Sequence, residues 1–397
     1  MKSSLLVVTV ALMAATLAGC AGAPSVYAPW KNGPAKDPSF FPITVWLQSP
    51  ANATKYKEIG INTYIAQYKG PTEEQLAELK KQGMKLICEQ NAVGLKHLND
   101  PMIIGWMHGD EPDNAQSDGK GGYGPPVAPE KIIADYQEIK KKDPSRPVML
   151  NLGQGVAWDK WHGRGVRTNH PEDYAEYIKG GDVISFDIYP VNASHADVKN
   201  KLHLVPFGVD RLRQWTKGEK IIWNCIECTQ YGKEGRRPTP HEVKAEVWMS
   251  LVHGSQGLIY FVHEFDIKDA AGKVIRPFKE AGLLGNEDMA KAVGAVNKQI
   301  TDLAPVLNSP TVGDGATVAS ENADVPVDIV VKSYQGATYL FAVGMRDGQT
   351  KATFTVKGLA DKAAAEVIGE NRKLKVEGGK FTDAFKPFEV HLYKIAK

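Results

Sequence analysis

Short runs of apolar residues alternate along the first three quarters of the chain with longer segments in which apolar residues recur every three to four positions. The runs predict β-strands and the longer segments predict helices. The eight predicted strands cover residues 41–48, 61–68, 85–91, 103–111, 147–153, 183–190, 221–227 and 257–265. The clearest helices cover residues 72–81, 129–142, 171–179 and 240–253, with a last one near 287–303.

Strands that alternate with helices are typical of parallel β/α units. Eight such units predict a (β/α)8 TIM barrel over residues 39–304. The alternative α/β architecture is a doubly wound open sheet. We favour the barrel because no glycine-rich phosphate loop follows the first predicted strand.

The pattern changes after Pro305, where short stretches alternate apolar and polar residues between Gly-rich and charged turns. This pattern predicts a small antiparallel β-sandwich-like domain over residues 305–397. Its predicted strands lie at residues 327–333, 338–343, 352–356, 365–368 and 388–393. Since no cluster of aromatic residues marks a binding surface there, we expect the domain to pack beside the barrel and assign it no ligand.

The N-terminus has the features of an export signal, with Lys2 followed by an apolar stretch from Leu5 to Leu17. The sequence Leu-Ala-Gly-Cys that ends at Cys20 resembles the lipobox of bacterial lipoproteins, in which the cysteine is acylated. The alternative is a plain secretory signal. We predict a signal over residues 1–20, a flexible tether over 21–38 and an exported protein anchored to the bacterial membrane by lipid on Cys20.

Composition excludes several other functions. The 397 residues are 43% hydrophobic and 24% charged, with a net charge of +2, which is ordinary for a folded protein. No basic stripe is present, so we expect no nucleic-acid partner. With Cys20 acylated, Cys88, Cys225 and Cys228 remain, so at least one thiol is unpaired. Cys225 and Cys228 are three apart on a predicted strand, so their side chains face opposite sides and do not share a ligand. We therefore expect the cysteines to be buried side chains.

Two predicted strands run directly into a glutamate: residues 103–111 end at Glu111 and residues 221–227 end at Glu227. In a barrel, the carboxyl ends of the strands form one mouth, where catalytic residues lie. Cleavage of a bond between sugars generally requires two carboxyl groups at such a place. A strand-end acid can also simply cap the next helix.

The fourth-strand run Asp-Glu-Pro at 110–112 and the seventh-strand run from Trp223 to Glu227 resemble motifs of the clan A glycoside hydrolases, which are retaining TIM-barrel enzymes. The resemblance covers residues 39–303. It implies that Glu111 is the acid/base, that Glu227 is the nucleophile and that Tyr189 donates a hydrogen bond to Glu227. No cofactor is implied.

The chain departs from the clan pattern at two places. Asp110 stands where the clan has an asparagine that contacts the sugar, and a carboxylate accepts hydrogen bonds but does not donate them. The second strand also lacks the arginine that many members place near the nucleophile. Four loop arginines are candidates to replace its charge, although we expect each to be solvated at the surface: Arg164, Arg167, Arg236 and Arg237.

Sugar-binding sites stack apolar sugar faces on aromatic rings and bind hydroxyls through polar side chains. Aromatic candidates at strand ends or in the following loops are Trp46, Tyr68, Trp158, Trp161 and Tyr231. Polar candidates at comparable positions are Gln48, Asn91, Asn151 and His263. Each ring alone is as compatible with core packing as with sugar binding.

Two other classes of function stay open. A metal-dependent barrel hydrolase would use side chains such as His108, Asp110, Asp187 and His263. We expect no metal because the sequence lacks H-x-H and H-E-x-x-H patterns. A glycan-binding lipoprotein without activity is the second alternative. The sequence does not determine the sugar, the linkage, internal or terminal cleavage, or the oligomeric state.

Overall fold

The structure is a computed structural model that describes residues 25–233, 235–359 and 363–396. The predicted signal and Cys20 lie outside these residues. Nine strand segments form one parallel sheet: β1 (Ile43–Trp46), β2 (Thr63–Ile65), β3 (Lys85–Glu89), β4 (Ile103–Met107), β5 (Val148–Leu152), β6 (Val183–Phe186), β7 (Ile221–Ile222), β8 (Asn224–Glu227) and β9 (Leu258–Phe261).

The sheet closes into an eight-stranded barrel, which confirms the predicted fold. β1 pairs with both β2 and β9, and β8 pairs with β9. β7 and β8 are halves of one strand interrupted at Trp223, whose backbone N–H still donates to the Ile184 carbonyl of β6 at 3.0 Å. The chain itself therefore joins the two ends of the sheet.

Helices surround the barrel: α1 (Ala53–Glu58), α2 (Glu73–Lys81), α3 (Ala92–Lys96), α4 (Pro129–Lys142), α5 (Tyr174–Tyr177), α6 (Leu204–Trp215), α7 (Pro240–Val252) and α8 (Glu287–Leu307). Thr72 and Thr239 begin α2 and α7 with capping boxes, in which the side chains of Gln75 and Glu242 return to the capping backbone. The predicted helix over 171–179 is helical throughout, with α5 flanked by 3-10 turns at Pro171–Asp173 and Ile178–Gly180. α8 continues through Pro305, so the barrel ends a few residues beyond the predicted boundary.

The N-terminal end of the barrel is covered by a segment that the sequence predicts as a tether. From Ser25 onward the chain packs against the barrel, and Tyr27 is only 2% exposed. The Tyr27 hydroxyl accepts from Trp223 Nε1 and donates to the Gln256 carbonyl, both at 3.1 Å. Residues 25–38 therefore differ from the expected flexible linker, because burial of Tyr27 favours a docked conformation.

A two-stranded hairpin, β10 (Ile267–Lys268) and β11 (Val274–Arg276), lies in the loop after β9. The C-terminal domain has eight further strands: β12 (Ala316–Ser320), β13 (Val327–Tyr334), β14 (Ala337–Gly344), β15 (Thr350–Val356), β16 (Ala364–Val367), β17 (Arg372–Lys375), β18 (Lys380–Phe385) and β19 (Val390–Ala396). They form antiparallel sheets of three and five strands, as predicted for a sandwich-like domain. The patterns missed β12 and β17, which carry few large apolar side chains, and also β18, although it buries Phe381 and Phe385.

The sandwich packs on α7 and α8 through β13 and β14, and the rings of Trp248 and Phe341 meet there at 5.2 Å. The three described cysteines, Cys88, Cys225 and Cys228, are free and buried. Within the described residues, no helix is both long enough and apolar enough to span a membrane.

Candidate active site

The loop that follows β4 carries Asp110 and Glu111 at the mouth of the barrel. Glu111 has a φ of +42°, in the left-handed region that residues with a side chain rarely adopt. Two residues later, the buried Asp113 accepts from the Gly153 N–H at 2.9 Å and from the Tyr174 hydroxyl at 2.8 Å. This anchor holds the loop, and backbone strain of this kind is concentrated at functional sites.

Glu111 lies beside the carboxyl group of Asp187, which follows β6, and it accepts a hydrogen bond from Asn114 Nδ2 at 2.8 Å. Burial raises the pKa of Glu111 well above its usual value, and the negative charge of Asp187 raises it further. Two carboxyl groups in contact share a proton, because two ionised groups would repel each other. The surroundings of Glu111 therefore favour its protonated form.

Asn114 is positioned in turn by Trp161, whose indole N–H donates to Asn114 Oδ1 at 2.9 Å. A side chain at Gly153 would place its Cβ 2.8 Å from the Asn114 amide, so a glycine is needed there for the close approach. The predicted sugar-binding Trp161 therefore supports the acid through Asn114.

From the sequence, Asp187 is a candidate only for the metal alternative. The fold, however, brings its carboxyl group beside Glu111. Asp187 is 8% exposed, and burial raises its pKa above the ordinary range. The Tyr189 hydroxyl lies beside Asp187 and lowers that pKa. Its place at the end of the sixth predicted strand was the signal for this role.

Asp110 completes a group of three acids. It is open to solvent from the cleft and accepts from Asn151 Nδ2 at 2.9 Å, while the Ser185 hydroxyl donates to Asn151 Oδ1 at 2.7 Å. The surrounding protein desolvates the carboxyl group and raises its pKa to about 7, and the charge of Glu111 adds to this effect. The predicted polar residue Asn151 thus lies in the site and orients Asp110.

Glu227 has a different environment. It is 1% exposed, and its carboxylate accepts from the backbone N–H of Val191 at 2.6 Å and of Asn192 at 3.0 Å. The Asn192 amide adds a third hydrogen bond at 2.6 Å. The loop after β6 therefore covers Glu227, and Tyr189, expected to donate to Glu227, lies beside Asp187 instead.

Behind Glu227, the fully buried Glu246 of α7 is close enough to form a carboxyl pair with it. Burial raises the pKa of both groups, and the charge of Glu227 raises the pKa of Glu246 further. Neither carboxyl oxygen of Glu246 has another hydrogen-bond partner in the described structure, and these surroundings favour its protonated form.

One side of the mouth is a continuous aromatic wall. The ring of Tyr231 meets Tyr189 at 5.2 Å and Phe261 at 5.8 Å. Phe265 and Phe278 continue the wall with their rings 6.1 Å apart, and each is about half exposed. Tyr231 is one of the residues predicted from the sequence. Phe261, Phe265 and Phe278 were not predicted, because they come together only through the fold of β9 and the loop after it.

The remaining candidates are divided between the cleft and the scaffold. Trp46 lies in the barrel interior with Tyr189, and Tyr68 is 70% exposed below Lys69. Asn91 caps α3 through the Gly94 N–H at 2.8 Å. Gln48 is held by the Tyr56 hydroxyl at 2.7 Å, which makes it part of the scaffold.

Trp158 is 9% exposed and meets the ring of His195 at 4.7 Å. His263 stacks on Phe278 at 5.9 Å and contacts the Leu47 carbonyl at 3.2 Å. In the described structure, neither ring contacts Asp110, Glu111 or Asp187. Trp158 borders a separate surface hollow, and His263 supports the aromatic wall.

The loop arginines do not face the acids. Arg164, expected at the surface, is 1% exposed and pairs with Asp173 at 2.7 Å, while Arg167 pairs with the same aspartate. Arg236 pairs with Glu242, and Arg237 pairs with Glu264. These pairs stabilise loops around the mouth, and none of the arginines and lysines that the structure describes forms an ion pair with the three acids.

The two acids of the metal alternative, Asp110 and Asp187, lie together, but its two histidines do not join them. His108 turns away from the mouth and bonds the Gly180 carbonyl at 2.7 Å. In the described part of the chain, no group of three or more His, Cys, Asp or Glu side chains has the geometry to hold a metal ion.

No protein-family profile matches the sequence, and no curated protein is similar to it in sequence. Solved structures share the fold. An α-amylase from Geobacillus thermoleovorans complexed with acarbose is similar at a TM-score of 0.51 and 11% identity over 93% of this chain and 99% of that chain. The protein AmyP in complex with maltose is similar at 0.53 and 9% identity, over 93% and 97% of the two chains.

A candidate α-galactosidase from Bacteroides fragilis is similar at a TM-score of 0.54 and 10% identity, over 90% of this chain and 80% of that chain. At such low identity the likeness extends to the fold, a TIM barrel followed by a β-domain, and not to individual residues. The fold of this chain is therefore one that sugar-cleaving enzymes use, and fold alone does not determine function.

Proposed function

We propose that this chain hydrolyses glycosidic bonds of an oligosaccharide or polysaccharide, with Glu111 as the proton donor. One observation carries the proposal: Glu111 stands at the barrel mouth in contact with a second carboxyl group, in surroundings that keep it protonated. A neutral acid at the mouth suits protonation of the glycosidic oxygen as the bond to the sugar breaks.

The second carboxyl group in the proposal is Asp187. Asp187 is the carboxyl group that lies beside Glu111. The ionised member of this pair stabilises positive charge that develops on the sugar. Entry of a sugar ring separates the two groups, since a retaining pair works at about 5–5.5 Å. Asp187 then bonds to the anomeric carbon as the leaving group departs, and water deprotonated by Glu111 displaces it with net retention.

Glu227, the nucleophile implied by the sequence resemblance, is the alternative to Asp187. In that case the loop at Val191 and Asn192 must move away, because its two N–H groups enclose the carboxylate. Steady-state kinetics and thermal unfolding of Asp187→Asn and Glu227→Gln distinguish these assignments.

The aromatic wall supports a carbohydrate as the substrate. Phe265 and Phe278 present half-exposed rings beside the acids, and such rings stack on the apolar faces of sugars. Asp110, oriented by Asn151, is placed to accept a hydrogen bond from a sugar hydroxyl. A metal ion has no part in this proposal.

We also propose that the protein is exported and anchored through acylated Cys20. The anchor would leave the site accessible, because Ser25 and Tyr27 lie at the N-terminal end of the barrel and the acids lie at the opposite end. Labelling with a fatty-acid analogue in the producing cell tests this, since Cys20→Ala should abolish the label.

The first experiment measures hydrolysis of a panel of aryl glycosides and polysaccharides by the full chain and by Glu111→Gln. The substitution removes the proton donor and keeps the shape, so we expect kcat/KM to fall by about 10²–10⁴-fold. Glu130→Gln, at an exposed position of α4, is the matched control and should retain activity.

Proton NMR of the first-formed sugar anomer tests the stereochemistry, and the β or α configuration of the substrate should be preserved. Full activity in Glu111→Gln would overturn the role of Glu111. Loss of activity with a chelator and recovery with added metal would favour the metal-dependent alternative. Saturable glycan binding without turnover would favour the non-catalytic one.

A further inference from the structure

A cavity of about 400 Å³ lies at the N-terminal end of the barrel, between the barrel and the β-sandwich, on the side opposite the three acids. Its walls come from the docked N-terminal segment, from the loops before β7 and β9, and from β13. This volume is in the range of small-molecule sites. It is not part of the proposed catalytic cleft.

Positive charge is concentrated in this cavity. Lys36, Arg213, Lys220 and Lys332 line it, and Asp37 is the single carboxylate among the described lining residues. Both Ser39 donors, its N–H at 2.8 Å and its hydroxyl at 2.7 Å, already bind the Asp37 carboxylate. The cavity therefore has a surplus of cations.

Two of these cations, the partly buried Lys332 and the exposed Arg213, lack a carboxylate partner in the described part of the chain. Arg213 donates to the His253 carbonyl and Lys332 donates to the Ser309 carbonyl, each at 2.8 Å. Burial lowers the pKa of Lys332 to about 8, and the charge of Arg213 lowers it further. The protein thus holds two like charges together at a cost that a bound anion would offset.

We propose that this cavity binds a phosphate group carried by a ligand with an apolar part. Arg213 and Lys332 would bind the phosphate, since guanidinium and ammonium groups are its usual partners. Apolar side chains such as Phe41 and Leu307 also line the cavity and would cover the rest of the ligand.

Two sources share this chemistry: a small soluble organic phosphate and the headgroup of an anionic phospholipid. Ser25 and Val26 line the cavity and follow Cys20 by five and six positions. A chain spans at most about 3.6 Å per residue, so a lipid on Cys20 would be within about 18 Å of Ser25. This relation favours the phospholipid, although the cation cluster does not depend on it.

Isothermal titration calorimetry of the full chain with inorganic phosphate and with glycerol 3-phosphate tests the soluble source. Co-sedimentation with vesicles of phosphatidylglycerol, against vesicles of phosphatidylcholine, tests the lipid source. In the arm that binds, we expect Lys332→Gln and Arg213→Gln to weaken affinity at least tenfold. Lys351→Gln, an exposed lysine on β15, is the matched charge control and should bind like the wild type.

Thermal unfolding separates loss of binding from loss of folding. Without ligand, Lys332→Gln should melt at the same temperature as the wild type or higher, because it removes a desolvated like charge. Glu111→Gln should bind the phosphate ligand like the wild type. Its binding therefore distinguishes a failure of this inference from a failure of the proposed catalytic function. Binding in neither arm, or binding that both variants leave unchanged, would overturn the inference.

Discussion

The barrel mouth and the β-sandwich each bury acidic side chains, but the partners of these side chains differ: cationic in the sandwich, acidic or neutral at the mouth. In the sandwich, Asp383 accepts from both terminal nitrogens of Arg372, at 2.9 and 2.8 Å, and from the Tyr393 hydroxyl at 2.9 Å. At the mouth, Asp187 faces Glu111, and the nearby Asp110 is held only by the neutral Asn151.

The difference separates structural acids from reactive ones. A buried carboxylate with a guanidinium and a hydroxyl as partners holds the sheets together. A carboxyl group beside another carboxyl group, with amides as partners, keeps a proton that it can transfer. Removal of charge should therefore weaken the sandwich, whereas at Glu111 and Asp187 it should leave the protein equally stable or more stable while activity is lost.

The largest expected effect concerns the partner of Glu111. Asp187→Asn should lower kcat/KM by a factor of about a hundred or more, with an unchanged or higher melting temperature. Glu227→Gln should lower the melting temperature, because its amide would face the N–H donors of Val191 and Asn192. Steady-state kinetics and thermal unfolding of both variants provide the comparison. If Glu227→Gln abolishes turnover and Asp187→Asn preserves it, Glu227 is the nucleophile.

The sandwich should respond in the opposite way. Asp383→Asn leaves the charge of Arg372 and the hydroxyl of Tyr393 with a poorer partner, so the free energy of unfolding should fall by about 1–3 kcal/mol. Turnover at saturating substrate should not change, because the sandwich lies away from the mouth. Urea unfolding and steady-state kinetics measure the two quantities. A loss of kcat at unchanged stability would contradict the division of roles.

A smaller effect concerns the dependence of stability on pH. The pKa of Asp110 is raised from 3.8 to about 7, so between these values the folded state binds more protons than the unfolded state. Stability from this group is therefore present at low pH and is lost as pH rises through about 7. Asp110→Asn should raise the melting temperature more at pH 8 than at pH 4. An equal shift at both pH values would show that Asp110 is not desolvated.

The smallest expected effect is at the contact between the domains. His253 bridges Asp210 at 2.8 Å and Asp328 of β13 at 3.1 Å, and although burial opposes protonation, these carboxylates raise its pKa to about 9. The stabilisation is complete below the unfolded pKa of about 6.5 and is lost as pH rises through 9. His253→Gln should reduce stability at pH 6 and have little effect near pH 10. Thermal unfolding of His253→Gln and Asp328→Asn, singly and together, measures the coupling.

Much of the architecture followed from local pattern. Apolar runs separated by amphipathic segments predicted the parallel barrel, and alternation beyond residue 305 predicted the sandwich, because burial on one face repeats every two or about 3.6 residues. The place of Glu111 at the mouth was predictable for the same reason: it follows the fourth strand, and all strand ends of a barrel meet at one mouth.

The partners of these residues were decided by the tertiary structure. The contact of Asp187 with Glu111, the covering of Glu227 by the loop after β6 and the wall of Phe261, Phe265 and Phe278 depend on how loops from distant strands pack. The docking of Tyr27 under the barrel is of the same kind. A repeating pattern reports which face a side chain occupies, whereas its neighbour on that face depends on long-range packing that no short stretch of sequence encodes.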